Sequence, residues 1–569
     1  MTDPYSPSRH SDLFPDGLPR RAFLKLTAAA AAGFPLAVRG QTAPGEPGGL
    51  GAEDAAPPAL NDVEGPPAAE PSDRDAGYVR VLLRAPDGSP LDDARVKTLF
   101  ARDLAGDPLP VKISFAEGRA HVALSAEPLQ ISVRLAVPGF GEVFCNADNG
   151  GKGYAAPGNV DFEAEAAETR RRRIREAAET ARRGGLPADD VLDRDLAAAA
   201  RPIPEKPAAV RTAASYEALA AGLRAGERLV LEAARRRIAR LPAPRKGFLF
   251  GCMVSGFDRL GPEFEKRFAA AFDLATVGWY WWKPEPDEAD PVVYDRMDAS
   301  VDWCLARKIV PRGFGYVYLT PGAVPEWMKK RSFDGILPVY RRVVEQTCRR
   351  FDGRVPVVEV INEAHDKANL WDLSHAQIVE ITREACAAAR RGSLGMRRLI
   401  NHCCHWAEYA KRPNADGSRR WSPWRYLKDV IAGGAEFEVI GLQWYFPQQD
   451  LFEIDRMLER YLAFGKPIHV TEVGCNSADG LDPACMGPKR LVPGWRGPWT
   501  ETMQADWLEA LDTLCYSRPE FEAVTWWDFV DAGGHFWPYG GLLHKDLSPK
   551  ESYLRLLDLR KRWGLPKVF

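Results

Sequence analysis

The chain has 569 residues, 45% of them hydrophobic and 27% charged, with a formal net charge of −2. That length exceeds what a single core serves, so two or three domains are expected. The near-neutral balance gives no electrostatic footprint for nucleic acid or for an anionic membrane surface.

Residues 1–43 read as a twin-arginine export signal: Arg20 and Arg21 precede Phe23-Leu24-Lys25 and a mildly apolar, Ala-rich run to Val38. That run is too short to span a bilayer. Export to the periplasm or beyond, without stable membrane insertion after signal cleavage, is expected. Residues 44–75 are rich in Ala, Pro, Gly and acidic residues and predict a disordered linker.

From Gly77 the pattern changes to alternation. Tyr78–Arg84, Val111–Phe115, His121–Leu124 and Gln130–Ala136 predict short strands, so residues 76–165 are expected to form a small all-β sandwich. Residues 166–246 are rich in Ala, Arg and Glu and predict a helical connector, broken into two pieces by the Pro-rich stretch 201–207. The basic run Arg170 to Arg173 has acidic partners at helical spacing, which predicts a solvated helix face rather than a nucleic-acid patch.

Residues 247–569 alternate apolar strands with amphipathic helices. The predicted strands are Phe248–Met253, Leu274–Trp279, Ile309–Phe314, Val357–Ile361, Arg398–His402, Phe437–Trp444, Pro467–Thr471 and Ala523–Trp527. This count and order predict a (β/α)8 TIM barrel of the α/β class. Active sites in such barrels sit at the carboxyl ends of the strands. The fourth predicted strand delivers Asn362 and Glu363 to that face, and the seventh delivers Glu472.

Two carboxylates meeting at one mouth supply what glycosidic-bond hydrolysis needs. A protonated carboxyl donates to the leaving oxygen, and an ionised one attacks the anomeric carbon from about 5–5.5 Å away in a retaining enzyme. Glu363 suits the acid/base role and Glu472 the nucleophile, and their mutual repulsion, with burial, would keep one of them protonated. The chemistry requires no cofactor.

Several landmarks resemble glycoside hydrolase family 10, the endo-1,4-β-xylanases of clan A. Val360-Ile361-Asn362-Glu363-Ala364 is similar to the family's acid/base strand, and His469-Val470-Thr471-Glu472 to its nucleophile strand. Ile440-Gly441-Leu442-Gln443-Trp444-Tyr445 resembles its sixth strand, Ala523 to Trp527 with Asp531 and Trp537 its eighth, and Gly541 to Lys550 with Tyr553 its closing segment. The resemblance implies a β-linked polysaccharide or oligosaccharide substrate and substrate contacts from Asn362, Gln443, Tyr445, Trp527 and Trp537; apart from it, Trp281 and Trp282 are expected to stack on sugar rings, His365 and His535 to line the pocket, and the chain to be a monomer. The departures are equally specific. Val277 to Glu285 is aromatic where the family carries Glu-Asn-x-x-Lys-Trp, Phe314 stands for a His after Arg312-Gly313, and Tyr445 stands for the His that steadies the nucleophile.

Two further readings stay open at this stage. One is a non-catalytic carbohydrate-binding protein on a hydrolase-derived barrel. The other is a metal site at His402-Cys403-Cys404-His405, which strand alternation disfavours by dividing the four between two faces. Seventeen Trp and sixteen Tyr fit a sugar-binding groove as well as core packing. None of the ten Cys forms a C-x-x-C pair, and Cys475 with Cys485 are positioned to close a loop in an exported protein.

Overall fold

The computed structural model of the chain describes residues 77–567 except 117–118, 206, 279–291, 316, 366–368, 412, 415–418, 446, 448, 488–491, 493 and 566. The predicted signal and linker, and Trp281 and Trp282, therefore lie outside the described residues.

Eight strands form the N-terminal β-domain: β1 (Tyr78–Leu82), β2 (Phe100–Asp103), β3 (Pro108–Leu109), β4 (Ile113–Ala116), β5 (Arg119–Ala123), β6 (Leu129–Val137), β7 (Gly141–Ala147) and β8 (Gly158–Asp161). They make two four-stranded sheets, β4-β5-β1-β8 and β3-β2-β6-β7. β1 shows why: Val79 and Val81 point inward to a core of their own while their neighbours stay partly exposed. β2 is buried along its whole length instead, because its outer face meets the rest of the chain. There Arg102 lies over the ring of Trp406, and Asp103 and Asp107 take hydrogen bonds from Arg419, Arg425 and Arg460.

The connector has three helices rather than the two expected: α1 (Phe162–Arg183), α2 (Asp190–Ala199) and α3 (Ala208–Ala239). The extra break is at Gly184-Gly185, where Gly185 takes the left-handed φ of +84° that ends a helix. The connector is a packed element, because Ile174, Ala225 and Leu229 join the same apolar core as the strands and helices that follow.

The basic run on α1 is likewise not the solvated face that its acidic neighbours predicted. Arg171 does pair with Glu168 along the helix. Arg170, however, is only 5% exposed and grips both oxygens of Asp450 at 3.0 and 2.6 Å. Arg173 reaches Asp148 at 2.9 Å and Glu453 at 3.1 Å. Residues three apart share a helix face, so Arg170 and Arg173 turn inward beside Ile174 while Arg171 turns out.

The remaining chain closes a barrel of eight parallel strands. In order they are β9 (Leu249–Met253), β10 (Leu274–Gly278), β11 (Val310–Phe314), β13 (Val357–Asn362), β14 (Arg397–His402), β15 (Val439–Tyr445), β16 (Ile468–Gly474) and β17 (Phe521–Trp526), with the two-residue β12 (Val317–Tyr318) beside the end of β13. β17 pairs with β9 and completes the ring. The described helices around it are α4 (Gly261–Ala271), α5 (Asp295–Ala306), α6 (Phe333–Arg350), α7 (His375–Gly392), α8 (Pro423–Ala432), α9 (Leu451–Leu462), α10 (Glu501–Tyr516) and α11 (Glu551–Arg562). Several start where the sequence provides a cap: Ser374 and Gln377 form a capping box at α7, and Asp450 and Thr500 cap α9 and α10.

Among the described residues no helix is long and apolar enough to cross a membrane. Cys475 and Cys485 are both buried thiols, and Cys485 donates its S–H to the carbonyl of Phe536, so no disulfide joins the two.

Candidate active site

β13 is buried at every position, which fixes the polar pair at its end. Asn362 lies on the last residue of the strand beside Asn401 of β14. Glu363 follows with φ of +50°, a left-handed conformation that costs a non-glycine residue about 1–3 kcal/mol. Its N–H is held by the carbonyl of Asn401 at 3.1 Å. On the other side, β16 runs to Gly474, so Glu472 sits within the strand and pairs with Gln443 of β15.

An amide relay joins the two carboxylates. Gln443 Nε2 donates to Glu363 Oε1 at 2.6 Å and to Asn362 Oδ1 at 3.2 Å. Asn401 Nδ2 donates to the same Asn362 Oδ1 at 3.0 Å and to Glu472 Oε1 at 3.2 Å. Thr471 Oγ1 in turn donates to Asn401 Oδ1 at 2.6 Å, which fixes that amide's orientation. Each carboxylate also takes a phenol: Tyr318 donates to Glu363 Oε2 at 3.0 Å, and Tyr445 to Glu472 Oε2.

Burial pushes Glu472 up to about 8, and the charge of Glu363 adds to the shift, against the opposing hydrogen bonds of Tyr445 and Asn401 and the charge of Arg312. The reaction needs the form in which Glu472 is ionised and the proton sits on Glu363. Burial, then the charge of Glu472, raises the Tyr445 phenol well above its ordinary value, so Tyr445 stays a donor.

The other residues expected from the sequence fall into two groups. Trp527, just past β17, is partly exposed and meets Phe314 edge to face at 5.3 Å, giving the mouth an apolar wall. His365, His535 and Trp537 are buried instead. His365 Nδ1 is 2.8 Å from Tyr409 Oη, and His535 Nε2 is 2.7 Å from Asp482. Trp537 is 0% exposed, stacked under Tyr445 at 5.2 Å, with its indole N–H donated to Asn476. It has no face open to a sugar and supports Tyr445 from below.

Sequence reasoning missed Asn401 and Tyr318. Asn401 is a polar residue inside the predicted fifth strand, one place before the His that drew attention. Among the described residues no group of three or more His, Cys, Asp or Glu is placed to hold a metal. His405 of that predicted cluster is engaged by Tyr461 Oη and by the carbonyl of Gln443, both at 2.9 Å.

The sequence matches the family model described as glycosyl hydrolase family 10 over residues 243–558. Among solved structures, xylanase 10B from Thermotoga maritima is similar at 17% identity and a TM-score of 0.44, covering 56% of this chain and 97% of its own. The GH10 structure from Paenibacillus barcinonensis is similar at 17% identity and 0.44, covering 59% and 98%. Xylanase 10B from Thermotoga petrophila RKU-1, solved in complex with xylobiose, is similar at 16% identity and 0.44, covering 56% and 96%. No curated protein matches the chain.

Proposed function

Because the chain belongs to glycosyl hydrolase family 10, and is therefore a glycoside hydrolase acting on a β-glycan, we propose that it is a retaining enzyme using Glu363 and Glu472. The observation that carries this reading is the amide relay, which holds both carboxylates at one mouth while giving each its own donors. Glu472 attacks the anomeric carbon as Glu363 passes its proton to the leaving oxygen, and a glycosyl ester forms on Glu472. Glu363, now ionised, takes a proton from water, the water's oxygen attacks the same carbon, and the ester bond breaks to free Glu472.

The supporting groups have distinct tasks in this cycle. Tyr445 and Asn401 orient Glu472 and stabilise its ionised form. Asn362 has its oxygen occupied by two amide donors, which leaves its Nδ2 to donate to the sugar 2-hydroxyl. Trp527, backed by the buried Phe314, offers apolar surface to the sugar ring.

Xylan or a related β-1,4-glycan is the substrate class in this reading, and export by the twin-arginine route is its cellular setting. The Arg20-Arg21 pattern supports the export reading. The test is hydrolysis of aryl β-glycosides and β-linked polysaccharides by wild type, Glu363→Ala and Glu472→Ala. Turnover that vanishes in the Glu472 variant supports the reading. Sugar binding without turnover in the wild type would replace it with the carbohydrate-binding alternative.

A further inference from the structure

Among the described residues, the barrel interior holds the guanidinium of Arg312. Arg312 of β11 is 0% exposed. It donates to Thr525 Oγ1 of β17 at 3.2 Å, to Thr276 Oγ1 of β10 at 2.6 Å, and to the carbonyl of Thr471 at 2.8 Å. Every one of these acceptors is neutral. The third is the peptide immediately before Glu472. Arg312 therefore ties three barrel strands to the backbone that presents this carboxylate, and among the described residues none of its donors is taken by a carboxylate.

A second carboxyl lies nearby. Glu359 of β13 is also 0% exposed, and neither of its oxygens meets a donor in good geometry, the Asn401 amide being the group nearest to serving it. An ionised carboxylate without a donor in a closed core is too costly to persist. Burial, then the charge of Glu472, raises Glu359 well above its ordinary value, against the charge of Arg312, which lies between the two carboxyls in its influence.

We propose that Arg312 is a positioning residue for Glu472: its fork fixes the Thr471 carbonyl, and its charge is the counter-charge against which Glu472 ionises. This rests on Glu472 being the nucleophile. The titratable groups facing Glu472 are Glu363 and Glu359 from β13, Tyr445 from β15 and Arg312 from β11, with Asp528 acting through Tyr445.

The experiment is the pH profile of kcat/KM on an aryl β-xylobioside for wild type, Arg312→Met, Arg312→Lys and Glu359→Gln, with thermal melts alongside. The acid limb reports the ionisation of the carboxylate pair in the free enzyme. Arg312→Met is expected to move that limb to higher pH by about one unit, a loss of about tenfold in kcat/KM on its rising side. Arg312→Lys keeps the charge and loses the fork, so the limb stays near wild type while kcat falls. Glu359→Gln leaves the limb in place. A folded Arg312→Met with an unmoved limb would overturn the proposal. So would a Glu359→Gln limb displaced to lower pH, since Glu359 would then be the partner that neutralises Arg312. If Arg312→Met does not fold, the Lys and Gln variants decide by the same criteria. Azide rescue of Glu472→Ala tests the nucleophile separately, so a failure there is not confused with a failure of the Arg312 role.

Discussion

Tyr445 on β15 donates its phenol to Glu472 on β16, and its ring rests on the buried Trp537. The family pattern has a His at this place, so the chain keeps a donor to the nucleophile while changing the residue that supplies it. Tyr445→Phe retains the ring stack and removes only the hydroxyl. A hydrogen bond to a charged group contributes about 1.5–3 kcal/mol. The variant is expected to keep its melting temperature within a few degrees and to lose roughly 10- to 100-fold in kcat/KM. Steady-state kinetics on an aryl β-glycoside check this.

Gln443 joins Glu363 to Asn362 through a single NH2 group. Gln443→Ala removes the donor that fixes Glu363 and half of the support for the Asn362 side chain. A fall in kcat of at least about tenfold is expected, because both groups act at the reacting centre. Gln443→Glu is expected to be worse still, because it adds a third charge beside the pair. An unchanged kcat in the Ala variant would remove the amide relay from the catalytic account.

Arg170 ties the connector to the barrel through its buried two-pronged pair with Asp450. Arg170→Met leaves Asp450 buried, where desolvation raises its pKa and Arg170 is its strongest stabilising charge. Loss of one partner from a buried pair costs about 3–5 kcal/mol. Denaturant unfolding is expected to show this loss, whereas Arg171→Met on the exposed side of the same helix should change stability by less than about 0.5 kcal/mol.

Glu163 at the start of α1 is fully buried, and burial pushes its carboxyl up to about 8 from an ordinary 4.5. The folded chain therefore holds a proton there that the unfolded chain releases. Its contribution favours the folded state below about pH 4.5 and declines as pH rises towards 8. Glu163→Gln keeps the acceptor for the Arg84 N–H at 2.7 Å without the titration. Relative to wild type it should gain stability between pH 5 and 8, by at most about 1.4 kcal/mol per pH unit. Thermal melts across that range measure the difference.

Much of the barrel was legible because strands buried on both faces read as unbroken apolar runs, as Val357 to Ile361 does. The limits of such runs mislead where function intrudes. The seventh strand was expected to end at Thr471, because a carboxylate follows, yet Val473 is buried and the pairing continues to Gly474. Glu363 and Glu472 were visible as polar residues at strand ends. So were Gln443 and Tyr445, but two other partners were not, since Tyr318 and Asn401 matter only once the ring has closed and set their strands beside β13 and β16. The same holds for Trp537, whose motif position marked it as important but did not separate a sugar platform from a buried prop. Arg170 misled for a related reason: acidic neighbours at helical spacing say nothing of what packs on the other side of the helix.

The most direct test of the central claim is trapping with a 2-deoxy-2-fluoro β-xylobioside bearing a good leaving group, followed by mass spectrometry of the intact chain and its peptides. The account predicts one glycosyl adduct per chain, on the peptide that carries Glu472, with activity lost in step with labelling. An active enzyme that forms no adduct, or forms one on another carboxylate, would contradict it.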